Sequence, residues 1–382
     1  MHSASKLPGI GTNIFTVMSK LAADHGAINL SQGFPDFEVS PELIALVDNA
    51  MKQGHNQYAP MAGLPWLRQV ISKMTADRYG YQPNAETEIT VTSGATEALF
   101  GSIMALLHPG EEVILFDPSY DSYDPVIRLA GGIPVHLNLT YPDFRIDWQQ
   151  VRDTISGKTR LIIINTPHNP TGSTLPEEDM IVLQGLAEEH NLLVISDEVY
   201  EHIIFDEKTH QSVLKFEAMR KRSVAISSFG KTFHATGWKV GYLVASEALT
   251  AEIRKIHQFV TFSVSTPVQH ALGQYLQHKK NYDSLARFYE QKRDSFLALL
   301  EEADWRPLVS SGTYFQLLSY DGMNDKGDQE MAEYLTRKYG LASIPISVFY
   351  HDNTDHKLLR FCFAKQEETL IKAAEILCRI RI

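Results

Sequence analysis

Residues 161–172 read LIIINTPHNPTG, in which Leu161, Ile162, Ile163 and Ile164 run directly into a stretch of Asn, Thr, Pro, His and Gly. A strand with one face in water alternates apolar and polar side chains, and these four do not. Both faces of the strand must be covered, which mostly parallel strands under helices achieve. Residues 192–195, Leu-Leu-Val-Ile, repeat the pattern, and further apolar runs fall at 89–92, 113–116, 133–139, 224–226 and 242–245. Between two of them residues 177–190 carry Met180, Ile181, Leu183, Leu186 and Ala187 at helical spacing. Alternating strands and helices of this kind predict a three-layer α/β/α domain around a mostly parallel sheet.

The texture changes after about residue 275. A charged helix is expected over 282–302, an apolar run over 313–318, a helix over 329–339, strands over 342–346 and 358–363, and a last helix over 367–379. Segregated strands and helices suggest a smaller α+β domain. The expected division is an arm at 1–40 that joins the small domain, a large domain at 41–275 and a small domain at 276–382. The arm has one amphipathic stretch, with Ile14, Phe15, Met18 and Leu21, and is expected to lie against the small domain or a partner subunit.

With 35 Lys+Arg against 46 Asp+Glu the net charge is −11, which repels phosphate backbones and anionic lipid. The basic runs Lys279-Lys280 and Arg220-Lys221-Arg222 are too short to overturn that. No apolar run reaches the ~18 residues of a membrane span, and no basic head precedes an apolar leader. The only cysteines, Cys362 and Cys378, lack metal-ligand spacing and read as thiols of a reducing compartment, so a cytoplasmic protein is expected. The fifteen histidines form no HExxH or similar pattern; no metal is expected, and His168, His202, His234 and His257 read as supporting or surface groups.

In open parallel sheets ligands bind beyond the carboxyl ends of the strands. Five strand ends here are followed by polar motifs: Ser93-Gly94-Ala95-Thr96, Asp117-Pro118-Ser119-Tyr120, Asn165 to Gly172, Asp197-Glu198-Val199-Tyr200 and Ser228-Phe229-Gly230-Lys231. Each has a plain structural reading. The small residues at 94–96 serve either strand-to-helix geometry or a phosphate at a helix N-terminus. Asp197 needs either a salt bridge or a cationic ligand group. Tyr120 and Tyr200 are either packing or stacking tyrosines. Lys231, between a buried strand and Phe233, is either a solvated charge or an amine whose depressed pKa makes it a nucleophile toward an aldehyde. Together an amine, an acid for a pyridinium, an aromatic platform and a phosphate cradle describe a pyridoxal 5'-phosphate site.

SGATEA, FDPSYDSY, NTPHNPTG, SDEVYEHI, SSFGKTFHATGWKVGY and LLRFCFAK also resemble the class I/II aminotransferases of fold type I, in the kynurenine/glutamine aminotransferase-like branch. The resemblance runs from LSQGFPDF at 30–37 through Arg360. It implies that Lys231 bonds the cofactor's aldehyde and later moves the substrate's Cα proton, that Asp197 pairs with the pyridine N–H, and that Asn169 and Tyr200 donate to the phenolic oxygen. It places Tyr120 on the ring. It assigns the phosphate to Gly94, Ala95, Thr96, Ser228, Lys239 and, from the other subunit of a homodimer, Tyr58. Many relatives carry Arg at the position of Lys239, so the clamp here is a point charge. Arg360 would grip the substrate α-carboxylate, assisted by Asn169 and the backbone of Gly33.

The implied reaction transfers an amino group from an amino acid to a 2-oxo acid in two half-reactions. No motif places a second arginine for a side-chain carboxylate, whereas Phe15, Tyr58, Phe262 and Phe349 fall in segments that line the substrate pocket of related enzymes, unless they are plain core. Methionine, aromatic amino acids or glutamine are expected over aspartate. Two other classes remain: Cβ–S lyases of the same fold type, which share the lysine and aspartate, and regulators with an aminotransferase-like domain and an added DNA-binding segment, for which no stretch of ~60–80 residues stands apart here.

Overall fold

The structure is a computed structural model that describes residues 4–380. Its centre is a seven-stranded sheet of β1 (Ile89–Thr92), β2 (Glu112–Asp117), β3 (Ile133–Asn138), β4 (Thr159–Asn165), β5 (Leu193–Asp197), β6 (Ser223–Ser228) and β7 (Gly241–Ala245). The spatial order is β1-β7-β6-β5-β4-β2-β3, with β7 antiparallel to both neighbours and the other pairs parallel.

The unalternating run in β4 has the meaning inferred for it. Leu161 and Ile163 enter one apolar cluster, with Leu99 and Ile103 of the helix Gly94–Leu106. Ile162 and Ile164 enter another, with Met180, Leu183 and Leu186 of the helix Glu177–Glu189. Each fully buried aliphatic side chain contributes roughly 1.5–3 kcal/mol, so neither face can be left to water. The fold is therefore three-layered α/β with a mostly parallel sheet, as expected.

Past residue 275 the helix expected over 282–302 is two pieces, Lys280–Asp283 and Leu285–Ala298. Beyond Ala298 the chain tightens, with Leu300 N–H donating to Leu297 O and Ala303 N–H to Leu300 O, both at 2.9 Å, which ends the α-helical register. A four-stranded antiparallel sheet follows, ordered Ile344–Pro345, Leu358–Cys362, Phe315–Ser319, Arg306–Pro307. The single strand expected over 342–346 is split. Leu341–Ala342 pairs with Ile28–Asn29 instead, and Pro345, which has no N–H to donate, ends the second piece. The helix expected over 329–339 is α-helical as Asp328–Tyr334 and widens to a π turn over Leu335–Tyr339. The final helix, Glu367–Arg379, falls where periodicity placed it.

The N-terminal helix Ile14–His25 is held at both ends, by the Asn13 side chain accepting from Thr16 N–H and by Gly26 in the left-handed region at φ 58°. The chain then runs along the smaller sheet, where Cys362 N–H donates to Leu30 O at 2.8 Å. This strip carries Ser31 and Gly33 to the mouth of the cleft.

Candidate active site

The cofactor residues expected from this chain itself, Gly94 through Lys239, all line one cavity of about 200 Å³ at the carboxyl ends of the parallel strands. At its floor Asp197, the last residue of β5, is 4% exposed. Its Oδ2 accepts from Tyr123 Oη at 2.7 Å and its Oδ1 from Val199 N–H at 3.3 Å. Burial nonetheless pushes its carboxyl up to about 6, so a cationic partner in the cavity would favour the ionised form. Asn165 binds the same strand end, donating to Asp197 O at 2.9 Å and accepting from Asn169 N–H at 2.7 Å.

Lys231 sits in the single helical turn Phe229–Thr232 after β6. Burial lowers its ammonium to about 8, and its Nζ donates to Gly33 O at 3.2 Å. The neutral, nucleophilic amine thus gains population as pH rises through that value. Tyr314 Oη donates to the same carbonyl at 2.7 Å and its ring stands edge-on to Tyr200, 5.1 Å between centroids. Burial raises the phenols of Tyr200 and Tyr120, the latter to about 12, so both remain hydrogen-bond donors at neutral pH.

The other end of the cavity is a cup for an anion. Gly94, at φ +71°, turns the chain into the helix Gly94–Leu106, bringing Ala95 and Thr96 to its first turn. Gly241 at the start of β7 passes so close that a Cβ there would lie 2.6 Å from Ser227 O and 3.1 Å from Ala95 N. Lys239 Nζ reaches in and donates to Thr96 Oγ1 at 3.2 Å, while Ser228 closes the edge from the end of β6. Glu97 supports the turn, accepting from Ser93 N–H at 2.7 Å and pairing with the buried His257 at 2.6 Å.

Arg360 is fully buried beside the cavity. Its Nη1 donates to Asn169 Oδ1 at 2.6 Å and its Nη2 to Ser31 O at 3.0 Å, while its Nε has no acceptor among the described residues. Its guanidinium lies 3.9 Å from the Phe315 ring centroid, with Phe15 and Phe349 at 5.2 and 5.9 Å. A buried cation with a donor to spare is suited to a carboxylate. Tyr58 and Phe262 do not join this group; exposed, they stack edge-on with each other at 5.4 Å. Tyr123, Tyr314 and Gly241 are functional positions that spacing does not mark, although Tyr123 lies inside FDPSYDSY; Asn165 is marked only as the opening of NTPHNPTG.

A buried acid that needs a cation, a lysine of lowered pKa, tyrosine and asparagine donors and a glycine-lined anion cup fit pyridoxal phosphate end to end. The chain belongs to the Aminotransferase class I and II family, whose profile matches residues 25–377, and is an aminotransferase. It is 52% identical over 372 residues to the methionine aminotransferase of Escherichia coli (strain K12), covering 97% of this chain and 96% of that protein. A crystal structure reporting a methionine aminotransferase function for an Escherichia coli protein superposes with a TM-score of 0.97 at 51% identity, over 100% of both chains. Human kynurenine–oxoglutarate transaminase 3 is 34% identical, covering 98% of this chain and 89% of that protein. Thermus thermophilus aspartate aminotransferase with maleate superposes at a TM-score of 0.90 with 27% identity, over 99% of this chain and 100% of that one. Among the described residues no helix is long and apolar enough to cross a membrane.

Proposed function

We propose that this aminotransferase takes methionine as its preferred amino donor, with aromatic amino acids and glutamine behind it, and passes the amino group through pyridoxal phosphate to a 2-oxo acid. The observation that carries the reading is the buried Arg360, whose Nε has no partner among the described residues, set among Phe15, Phe315 and Phe349. A carboxylate on Arg360 directs the rest of the amino acid toward apolar rings, which suits a thioether or an aromatic side chain. The identity to the Escherichia coli methionine enzyme points the same way.

Pyridoxal phosphate supplies an aldehyde for the amino group and a ring that takes up the electron pair released at Cα. Asp197 would hold the ring nitrogen protonated, with Tyr123 and Val199 fixing its carboxylate. Tyr120 would pack on the ring, and Asn169 and Tyr200 would donate to the phenolic oxygen. Gly94, Ala95, Thr96, Ser228 and Lys239 would hold the phosphate. Arg360, with Asn169 and the Gly33 backbone, orients the substrate so that Lys231 Nζ faces its Cα proton. Lys231 Nζ would carry that proton from Cα to the carbon that bore the aldehyde and, in the second half-reaction, carry one the opposite way; the first 2-oxo acid leaves before the acceptor takes the same seat, hence ping-pong kinetics.

The cofactor's visible absorbance, followed after adding methionine, glutamine, phenylalanine, kynurenine or aspartate without an acceptor, tests this. Methionine is expected to convert the band fastest; aspartate ahead of methionine, or no conversion at all, would refute the proposal.

We further infer that residues 41–275 form the cofactor domain, since the whole seven-stranded sheet lies within them. Residues 276–382, with the arm, form the smaller one. The chain acts as a homodimer, with Tyr58 completing the partner's phosphate site. Tyr58 is 82% exposed and neighbours the exposed Phe262, and Phe259 is 87% exposed, so these rings are poorly placed for a lone chain. Sedimentation equilibrium should give twice the chain mass; a single-chain mass at micromolar concentration overturns the dimer. The free thiols of Cys362 and Cys378 support a cytoplasmic setting.

A further inference from the structure

Metal-ligand spacing is absent from the sequence, yet the fold assembles ligands from three distant segments. His136 comes from β3, Asp124 from the short helix Tyr123–Leu129, and His351 from the turn after Ser347–Phe349. One ligand atom from each lies within 4.8 Å of the other two. They border a second cavity, of about 680 Å³, which shares Tyr120 with the cofactor cavity.

The surroundings orient the group. Asp117, with no exposed surface, holds His136 Nδ1 at 3.0 Å, which turns Nε2 toward Asp124 Oδ2 at 3.0 Å. A carboxylate behind a ligating imidazole fixes its ring and raises its basicity. The same Asp117 accepts from His351 N–H at 2.7 Å, so one buried anion anchors both histidine-bearing segments. Arg128 grips Asp124 from the side, Nε to Oδ1 at 2.6 Å and Nη2 to Oδ2 at 2.9 Å, and keeps that carboxylate in place. The His351 ring is exposed and stacks on His136 with centroids 4.4 Å apart and planes 14° from parallel.

We propose that Asp124, His136 and His351 form a binding site for a divalent transition-metal ion of the zinc type. Two imidazole nitrogens and one carboxylate oxygen suit zinc over magnesium or calcium, with water completing a tetrahedral shell. The ion takes the place of the proton between His136 Nε2 and Asp124 Oδ2, which is released to solvent; nothing is oxidised or reduced. Near-parallel rings do not aim both lone pairs at one point, so His351 swings about its side-chain torsions, as its exposure permits. Bound there, the ion joins the edge of the central sheet to the 347–352 segment across the rim of the second cavity.

Calorimetric titration of the holoenzyme with zinc chloride, in a buffer that does not coordinate zinc, tests the site apart from any catalytic reading. One ion per chain is expected, with affinity falling at least about tenfold in His351→Ala and in His136→Gln, and magnesium chloride giving no binding isotherm. His351 is exposed, so its variant should keep the wild-type melting temperature even if His136→Gln is destabilised. No zinc binding by the wild type, or binding unchanged in His351→Ala, overturns the proposal and leaves the cluster a proton-held ion pair.

Discussion

Lys231→Ala is expected to lower turnover with methionine by more than about 10³-fold while leaving the melting curve close to wild type. The substitution deletes the amine that captures the aldehyde and the base that faces the substrate's Cα, and a positioned base alone is worth about 10²–10⁴-fold. The fold should tolerate the loss because the Lys231 ammonium is held at a cost: burial has already lowered its pKa to about 8. The acceptor of its Nζ, Gly33 O, keeps a second donor in Tyr314 Oη. Steady-state rates and a thermal melt on the same preparation decide the matter. Appreciable turnover in the variant would remove Lys231 from the chemistry.

Arg360→Ala should instead fall on the amino acid. Removing one member of a buried charge-assisted pair costs about 2–5 kcal/mol, so kcat/KM should drop roughly 30- to 5,000-fold. Cofactor affinity should change far less, because Arg360 is not among the residues lining the cofactor cavity. Arg360→Lys should recover only part of the loss, since a point charge cannot reproduce two parallel N–H donors. Equal losses of cofactor and substrate affinity in Arg360→Ala would undo the carboxylate role.

The central sheet was legible because residues such as Leu161 to Ile164 state their burial twice over, once for each face. The cavity was legible for a related reason: strands of a parallel sheet end together, so the polar residues after each run converge wherever the helices lead. Tyr314 was not, because it belongs to the smaller sheet and meets Tyr200 only through tertiary packing. Gly241 was hidden for another reason. Nothing in a sequence distinguishes a glycine that admits a neighbouring backbone from one that merely starts a strand. The helix ending at Ala298 instead of 302 shows the limit of periodicity, which sees the apolar stripe but not the local hydrogen bonds that close it. His136 and His351, 215 residues apart, escape any reading by spacing.

The seat for the substrate carboxylate joins the two ends of the chain: Arg360 Nη2 reaches Ser31 O across 329 positions, and Lys365 Nζ reaches Phe34 O across 331. Contacts so distant in sequence are the slowest to form, since the loop between them must close first. During synthesis the lining that this chain gives the cofactor cavity, with the strand β7 that closes the sheet at Ala245, can assemble while the ribosome is still translating, whereas the seat cannot exist until Arg360 has been added. A nascent chain of this protein can therefore form its own share of the cofactor pocket before it can recognise an amino acid.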